Sequence, residues 1–346
     1  MRALVFDGSL ARMLDQPEPE VGPNEALVHV RRAGICDTDL QLLAGYQGFR
    51  GVLGHEFVGE VDRQDRSELA GRRVVADINV GCGQCDECRT RGGHHCRRRG
   101  VVGIRARQGV FAQRVALPRE NLVALPDALD DDRAVFAEPL AAALHVLDEI
   151  PGDLDAAPVW VLGDGKLGLL IALALQGAGV KVVLVGHHST KLELAAARGI
   201  TTKLERELDV SDRRCARIVV EATGSQSGLA RAIELCGPRA TIVLKTTRAA
   251  PVQLDLAAIV VGELRLVGSR CGDMRRAVDL LARGAIDPRP LIDARFEFEA
   301  AEQALVCAAE PGRLKVLIDW QSQPGMDASS SSSSARNEAD QHAMNS

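Results

Sequence analysis

The chain has 346 residues and a formal net charge of −5 at pH 7, with 46% hydrophobic and 26% charged residues. This length is enough for two domains, and the negative balance gives no indication of a nucleic-acid partner. The longest apolar windows span about ten residues, short of the roughly 18 that a membrane helix needs. The start, "MRALVFDGSL", resembles a strand and not a signal peptide. The composition therefore predicts a cytoplasmic globular protein with no membrane partner.

Residues 1–138 have the pattern of a β-rich domain. Short strand patterns such as "EALVHVRRAG", "FVGEVD", "RRVVADI" and "FAQRVAL" are separated by Gly and Pro. This spacing is typical of a compact domain of short strands.

Residues 139–286 change to apolar strands that alternate with helices. Strands are predicted at "VWVLG", "VKVVLVG", "RIVVEATG", "ATIVLK" and "LRLVGS", and helices at "KLGLLIALALQG", "KLELAAARG", "SGLARAIELCG" and "MRRAVDLLARG". This alternation predicts an α/β domain with a parallel, doubly wound sheet. Residues 287–321 show a strand, helix, strand pattern and are expected to return to the first domain. Residues 322–346 contain a run of six serines and few apolar side chains, which predicts a disordered tail.

Four cysteines with the spacing C-x2-C-x2-C-x7-C lie in "GCGQCDECRTRGGHHC". Four thiolates in one loop can complete a tetrahedral shell around Zn²⁺, and a complete shell leaves no position for a substrate. The spacing disfavours the alternative of four unligated thiols. His94 and His95 adjoin the last cysteine and could compete as ligands, but four thiolates already fill the shell. We therefore predict a structural zinc site formed by Cys82, Cys85, Cys88 and Cys96.

The same loop is rich in arginine, with Arg89, Arg91, Arg97, Arg98 and Arg99. A nucleic-acid zinc module would also be basic. However, the chain is negative overall and the loop has no interleaved aromatic residues. These arginines are therefore predicted to form a solvated basic loop.

A second, open metal site is indicated by "AGICDTDL", "LGHEFVGEV" and "FAEPLAAALHVL". Cys36 and His55 provide a thiolate and an imidazole, Glu56 follows directly, and Glu138 provides a carboxylate. Three protein ligands leave one position of a zinc ion open for catalysis. Taken singly, a hydrogen-bonded histidine or a carboxylate that complements a helix dipole would explain each residue. The prediction depends on their combination with the cofactor motif described next.

Three neighbouring residues are expected to support this open site. Pro139 suits the first position of a helix, so Glu138 is predicted to precede that helix and point into a cleft. Asp39 is predicted to orient the imidazole of His55. Thr38 is predicted to hold an alcohol oxygen or its proton near the metal, although Thr and Asp in a turn need no such function.

Gly163, Gly165 and Gly168 form a G-x-G-x-x-G motif between an apolar strand and a helix. Such glycines permit a tight turn and let the backbone approach a pyrophosphate at the helix N-terminus. An ordinary glycine-rich turn is the alternative, but the strand–turn–helix context disfavours it. We therefore predict a dinucleotide site that includes Lys166 and Leu167.

The acid that usually follows this motif is missing. A carboxylate about 20 residues later commonly binds the adenosine ribose hydroxyls, but Gly186 occupies that position. The donors His187, His188, Ser189 and Lys191 follow it. A carboxylate would repel a 2′-phosphate, whereas a glycine followed by donors would accept one. The sequence thus favours NADP(H) over NAD(H), the alternative being a neutral loop that accepts either cofactor.

These segments together resemble the zinc-dependent medium-chain alcohol dehydrogenase family over about residues 1–320. The matching segments are "GICDTDL", "GHEFVGEV", the four-cysteine loop, "AEPLAAALHVL", "VLGDGKLG", "VVEATGS" and "LRLVGS". The glutamate of "AEPL" replaces the cysteine of typical alcohol dehydrogenases, which places the similarity nearest the polyol and threonine dehydrogenase branch. The resemblance implies a GroES-like barrel, a Rossmann domain and an active site in the cleft between them. It also implies a homodimer or a homotetramer.

The resemblance implies roles for single residues as well. Thr38 would be the first step of a proton relay, and Thr223 and Gly224 of "EATG" would line the cofactor pocket. The four-cysteine loop would hold structural zinc. The ligands of catalytic zinc would be Cys36, His55, Glu138 and, intermittently or through water, Glu56.

The implied reaction is reversible oxidation of an alcohol or polyol to an aldehyde or ketone. Zinc would act as a Lewis acid and the nicotinamide cofactor would carry the hydride. A rival hypothesis is a non-catalytic or redox-sensing dinucleotide-binding protein of the same fold, which would normally have lost ligands at the open site. A zinc-ribbon nucleic-acid binder is disfavoured by the net charge and by the Rossmann half. The substrate is not identified by the sequence, because the pocket is expected to depend on loops around Tyr46, Phe49 and Phe111.

Overall fold

The computed structural model describes residues 1–150, 157–247 and 254–320. The predicted tail, residues 322–346, lies outside the described residues. Within the described ranges, no helix has both the length and the apolar character that crossing a bilayer requires.

The N-terminal part is built from short strands, as the sequence predicts. Its elements in chain order are β1 (Arg2–Phe6), β2 (Ala11–Asp15), β3 (Glu25–Gly34), α1 (Asp37–Leu43), β4 (Gly51–Val52), β5 (Glu56–Val61), β6 (Arg73–Ala76), β7 (Asn79–Val80), α2 (Asp86–Arg91), β8 (Gly100–Val102), β9 (Ala106–Arg107), β10 (Arg114–Pro118), β11 (Leu122–Ala124), α3 (Asp131–Ala134), α4 (Ala137–Leu144) and α5 (Val146–Glu149).

The remaining elements alternate between strand and helix. They are β12 (Val159–Leu162), α6 (Lys166–Gly177), β13 (Val182–Gly186), α7 (Ser189–Ala196), β14 (Thr201–Leu204), β15 (Ala216–Glu221), α8 (Gly228–Leu235), β16 (Cys236–Leu244), α9 (Leu256–Gly262), β17 (Arg265–Gly268), α10 (Met274–Ala282), β18 (Ile292–Glu297), α11 (Ala301–Ala309) and β19 (Lys315–Asp319).

Six of these strands form one parallel sheet with the order β14-β13-β12-β15-β16-β17. All four residues of β12 and all five of β13 are buried, as expected of parallel strands that helices cover on both faces. This confirms the predicted α/β fold class. The short polar strand β14 and the helix α9 were not predicted.

The strands of the N-terminal part form a sheet with the order β11-β6-β5-β3-β19-β18, in which β10 also pairs with β3. Two smaller sheets, β2-β1-β4 and β7-β8-β9, flank it. Most of β3 alternates between buried and half-buried residues, the pattern of a strand with one face in a core. Because β19 pairs antiparallel with β3, the end of the described chain lies in the N-terminal sheet.

The helix α4 joins the two parts because it packs against α6 and α10. Leu140 and Leu144 of α4 belong to one buried apolar cluster with Leu170 of α6 and Leu281 of α10. Burial of such side chains contributes about 1.5–3 kcal/mol each. This packing holds the two walls of the cleft against each other.

The start of α4 differs from the prediction. The helix begins at Ala137, with Phe136 as its N-cap residue, and Pro139 is its third residue. The prediction that Pro139 is the first helical residue was therefore wrong, but Glu138 lies in the first turn, at the mouth of the helix, and lines the cleft. Proline is compatible with this position because the backbone nitrogens of a first turn have no intrahelical acceptor.

Candidate functional site

A cavity of about 470 Å³ lies between the two parts of the chain. Its wall includes residues of α1 and β5 on one side, and the starts of α4 and α6 on the other. The ends of β15, β16 and β17 also border it. The site residues predicted from the sequence that line this cavity are Cys36, Thr38, His55, Glu56, Glu138, Lys166, Leu167, Thr223 and Gly224.

Three potential metal ligands meet in this cavity. One ligand atom each from Cys36, His55 and Glu56 lies within 4.8 Å of the other two. His55 and Glu56 are 3% and 1% exposed, and burial raises the pKa of the Cys36 thiol. A thiol and an imidazole in a buried site are ordinary zinc ligands.

Asp39 positions two members of this group. Its Oδ1 lies 3.1 Å from Nδ1 of His55, and its Oδ2 accepts a hydrogen bond of 2.9 Å from the backbone N–H of Cys36. Asp39 itself is fully buried. Because Nδ1 of His55 is engaged, Nε2 is the nitrogen that remains available to a ligand.

Glu56 has one oxygen that is satisfied and one that is not. Lys315 on β19 is buried beside it and donates to Oε2. Oε1 is buried and has no hydrogen-bond partner in residues 1–150, 157–247 and 254–320. A buried carboxylate oxygen without a partner is costly in an apolar site, and a cation beside Cys36 and His55 would satisfy it. The donor set thus fits a zinc ion.

Glu138 lines the same cavity but does not belong to the group of three ligand atoms. Burial raises the pKa of its carboxyl to about 7, and the negative charge of Glu56 adds to this effect. Because burial and the charge of Glu56 disfavour the ionised form of this carboxyl, a nearby cation would stabilise that form. Thr38 also lines the cavity and is half-buried.

The four-cysteine loop is folded around a single point. The sulfur atoms of the four cysteines lie within 4.8 Å of one another, and the separations from Cys85 are 3.4 Å to Cys88 and 3.7 Å to Cys96. Tetrahedral zinc with Zn–S bonds of about 2.3 Å requires sulfur separations of about 3.8 Å. The loop therefore fits a closed zinc site.

Backbone groups and close packing prepare this loop for thiolates. The N–H groups of Gln84 and Cys85 lower the pKa of Cys82 to about 5, and Arg98 donates to the sulfur of Cys82 over 3.2 Å. A Cβ at Gly81 would lie 2.7 Å from the sulfur of Cys88, which explains why glycine stands there. A side chain at this position would displace the sulfur of Cys88.

The two histidines of the loop do not join the cysteines. Nε2 of His94 lies 2.5 Å from Oδ2 of Asp77, and His95 is exposed. The candidate ligand set of this loop therefore consists of the four cysteines.

The glycine motif has the geometry that dinucleotide binding requires. Gly163 has a φ of +114°, and a Cβ there would lie 2.5 Å from the carbonyl oxygen of Ala222. A Cβ at Gly168 would collide with the carbonyl oxygen of Gly163, whereas none of the described atoms lies within 4 Å of a Cβ at Gly165. Gly165 is the N-cap of α6, so bare backbone is presented where a pyrophosphate would approach.

Lys166 links the glycine motif to the N-terminal part. Its Nζ lies 2.6 Å from Oδ1 of Asp37, while the lysine is buried and the aspartate is exposed. The ion pair therefore spans the cleft from α6 to α1.

The turn at the expected ribose site contains a carboxylate that the sequence did not indicate. Oδ2 of Asp164 accepts hydrogen bonds from the backbone N–H groups of His187 and His188, at 2.8 and 2.7 Å, and lies 3.0 Å from Nδ1 of His188. A Cβ at Gly186 would lie 2.5 Å from Cβ of Asp164. The side chain of Asp164 thus fills the space next to Gly186.

The other residues of this turn face outward or support the helix. His187 and His188 are exposed, Ser189 is the first residue of α7, and Lys191 lies in its first turn. None of the four lines the described cavity. His187 also lies 2.8 Å from Glu205.

At the opposite wall, Thr223 and Gly224 lie beside the cavity, as the resemblance implies. Oγ1 of Thr223 donates to Oε1 of Glu221 over 2.6 Å. The backbone N–H of Gly224 donates to Oγ1 of Thr246 over 3.0 Å. These bonds fix the loop after β15 against the end of β16.

Sequence reasoning missed several residues around the cavity, including Lys245, Arg99, Arg105, Arg270 and Lys315. Lys245 directly follows the apolar end of β16, and Lys315 begins the apolar strand β19. A lone lysine next to such an apolar run was the available signal. Of the three aromatic residues expected to shape the pocket, Tyr46 lines it, whereas Phe49 and Phe111 are buried in the core of the N-terminal part.

Two family models and a curated relative match this chain. The family model "Alcohol dehydrogenase GroES-like domain" matches residues 22–127, and "Zinc-binding dehydrogenase" matches residues 167–283. An L-threonine 3-dehydrogenase of Streptomyces avermitilis is 31% identical over 335 residues, which cover 89% of this chain and 95% of that protein.

Two solved structures have the same fold over nearly their whole length. A putative zinc-binding dehydrogenase from Sinorhizobium meliloti 1021 bound to NADP is 31% identical, with a TM-score of 0.81 over 92% of this chain and 98% of the other. Galactitol-1-phosphate dehydrogenase from Escherichia coli is 27% identical, with a TM-score of 0.80 over 92% of this chain and 100% of the other.

Proposed function

We propose a reaction from the premise that this chain belongs to the zinc-dependent medium-chain alcohol dehydrogenase family. It is an oxidoreductase that transfers a hydride between a small-molecule alcohol or polyol and NAD(P). Residues 1–138 and 287–321 would form its catalytic domain, and residues 139–286 its cofactor domain. We propose a homodimer or a homotetramer on the basis of the family resemblance.

The catalytic metal would be held by Cys36, His55 and Glu138, with Glu56 as an intermittent ligand. This is supported by the ligand atoms of Cys36, His55 and Glu56, which lie within 4.8 Å of one another, and by the unsatisfied Oε1 of Glu56. Bound zinc supplies a Lewis acid that favours loss of the hydroxyl proton. Asp39 would hold His55 in the required orientation.

Side chains that line the cavity would transfer the substrate proton and exclude water. Thr38 lines the cavity next to the candidate ligands, so its hydroxyl would accept the substrate proton and pass it outward. Leu40, Val101, Ile104 and Leu170 also line the cavity. Their apolar surfaces would exclude water from the reacting carbon, which protects a hydride transfer.

The cofactor would be held by Gly163, Gly165 and Gly168, and Lys166, Leu167, Thr223 and Gly224 would line its pocket. The sequence favours NADP(H) because Gly186 replaces the usual acid and His187, His188, Ser189 and Lys191 offer donors. Asp164 adds an opposing charge, but three donors already surround its carboxylate. We therefore propose NADP(H) as the preferred cofactor, with NAD(H) also accepted.

A second zinc ion per chain would be structural and held by Cys82, Cys85, Cys88 and Cys96. The closed arrangement of four sulfurs leaves no position for a substrate. Its role would be to hold the loop that carries residues 97–105 against the cavity.

The observation that carries the proposal is that the candidate ligands and the residues after the glycine motif line one cavity. The test is nicotinamide reduction by zinc-loaded protein with NADP⁺ and with NAD⁺ on a panel of alcohols and polyols that includes L-threonine and galactitol 1-phosphate. Cys36→Ser should lose turnover and remain folded. Cys307→Ser, at a cysteine of α11 that is not among the residues lining the cavity, should retain turnover. Cofactor binding without turnover of any substrate would favour the redox-sensing alternative.

A further inference from the structure

The charges around the cavity are strongly unbalanced. Among the residues that the structure describes, six basic and three acidic side chains line it. The basic residues are Arg99, Arg105, Lys166, Lys245, Arg270 and Lys315, and the acidic residues are Asp37, Glu56 and Glu138.

Two of the acids are already paired with lysines. Asp37 binds Lys166 and Glu56 binds Lys315. The third acid, Glu138, is a candidate zinc ligand. Lys245 donates to backbone carbonyls at the base of the cavity. The three arginines therefore remain without a carboxylate within 4.0 Å among the residues that the structure describes.

Arg99 is the most exceptional of these arginines. Its Nε is buried and has no hydrogen-bond partner within the described part of the chain, and a buried N–H without an acceptor is costly. The positive charges of Arg270 and Arg105 lie close enough to repel that of Arg99. The sequence placed Arg99 in a solvated basic loop, but unlike its exposed neighbours Arg97 and Arg98 it lines the cavity.

The other two arginines approach Arg99 from different elements. Arg270 follows β17 and is held by Oδ1 of Asn79 at 2.8 Å and by the carbonyl oxygen of His94 at 2.6 Å. Arg105 lies in the turn between β8 and β9. Three separate elements bring these positive charges together, and the repulsion between them costs free energy. An anion bound between the arginines would remove this cost.

We propose that Arg99, Arg105 and Arg270 bind the oxyanion of a substrate that carries a carboxylate or a phosphate in addition to its reacting hydroxyl. This deepens the proposed function, because it names the class of alcohol. Guanidinium groups match carboxylates and phosphates through paired N–H donors. The pyrophosphate of the cofactor is a less suitable occupant, since Arg99 and Arg105 belong to the N-terminal part and the glycine motif lies on the opposite wall.

The experiment compares pairs of similar substrates, of which only one member carries a carboxylate or a phosphate. The pairs are glycerol with glycerol 3-phosphate, butane-1,3-diol with 3-hydroxybutanoate, and L-threoninamide with L-threonine. The wild type should prefer the member with the oxyanion in at least one pair, and the preferred pair distinguishes phosphate from carboxylate. Arg99→Gln should lower kcat/KM for that substrate about ten- to hundredfold, chiefly through KM, while KM for the cofactor stays unchanged. Arg105→Gln should act in the same direction.

Arg97→Gln is the matched control, because it removes the same charge from the same loop at an exposed position. It should behave as the wild type. An equal loss in Arg97→Gln, or a change in KM for the cofactor instead of the substrate, would overturn the proposal.

A binding measurement separates this proposal from the proposed reaction. Inorganic phosphate is titrated by calorimetry into zinc-loaded protein saturated with oxidised cofactor, using the wild type, Arg99→Gln and Arg97→Gln. Phosphate binding that only Arg99→Gln abolishes, without turnover of any alcohol, would support the oxyanion site and contradict the reaction. Turnover of neutral alcohols with no charge preference and no phosphate binding would contradict the oxyanion site alone.

Discussion

Oδ1 of Asp39 lies 3.1 Å from Nδ1 of His55, and both side chains are buried. The other oxygen of the same carboxylate accepts a hydrogen bond from the backbone N–H of Cys36. One buried group therefore sets the ring orientation of the histidine and the local backbone of the cysteine. Loss of its charge should disturb both candidate ligands at once.

We expect Asp39→Asn to lower zinc occupancy or kcat/KM by about 10–100-fold, the usual effect of removing a partner of a metal-bound histidine. The measurements are zinc per chain by mass spectrometry and steady-state kinetics. The control is Asp62→Asn, because Asp62 pairs with His29 at 2.9 Å on a partly exposed surface. If both variants kept the zinc content and activity of the wild type, the proposed role of Asp39 would be refuted.

Cys88→Ser should remove one of the two proposed zinc ions and destabilise the four-cysteine loop. Structural zinc contributes folding free energy, and a loss of a few kcal/mol should lower Tm by roughly 5–10 °C in a chain of this size. Cys36→Ser should also lose one zinc ion but keep a Tm close to that of the wild type. Cys215→Ser, at an exposed cysteine, is the control and should lose neither. A Cys88→Ser protein with unchanged zinc content would contradict a structural metal.

Local patterns in the sequence predicted much of the fold. The helix predicted at "KLGLLIALALQG" is α6 to the residue, and the strand predicted at "EALVHVRRAG" is β3 to the residue. In both segments the signal is a periodicity or a turn motif within a dozen residues. The four cysteines are also close in sequence, so their spacing alone predicted their convergence.

Contacts between distant segments could not be predicted in this way. Lys315 and Glu56 are 259 residues apart, and nothing in either segment indicates that their side chains meet. The local sequence does not distinguish Arg99, which lines the cavity, from its exposed neighbours Arg97 and Arg98. The contacts of Asp164 are with His187 and His188, more than 20 residues away between β13 and α7, so the glycine motif itself did not indicate them. Tertiary packing, and not local pattern, decides the role of each.

Asp164→Asn should shift cofactor preference toward NADP⁺. The variant removes the negative charge beside Gly186 and retains a carbonyl oxygen that can accept from the N–H groups of His187 and His188. The ratio of kcat/KM for NADP⁺ to that for NAD⁺ should rise roughly tenfold, the change that about 1.4 kcal/mol produces. Asp279→Asn, on the exposed face of α10, should leave the ratio unchanged. A ratio that does not move in Asp164→Asn would show that its charge is not felt by the adenosine end of the cofactor.

Lys245 should make stability depend on pH. Burial lowers the pKa of its ammonium group from 10.5 to about 8, and its Nζ donates to the carbonyl oxygens of Ala142 and Arg270 at 2.8 and 2.9 Å. Below pH 8 both the folded and the unfolded state are protonated, so the folded state bears the full cost of a buried charge. Between pH 8 and 10.5 only the unfolded state stays protonated, and the free energy of unfolding therefore rises with pH.

Lys245→Met lacks this contribution, so the stability of the wild type relative to the variant should increase by about 2–3 kcal/mol across that range. Urea unfolding of both proteins at pH 7.5, 9 and 10.5 measures the difference, with the exposed Lys181→Met as control. If the difference in unfolding free energy between the wild type and Lys245→Met did not change with pH, folding would not lower the pKa of Lys245.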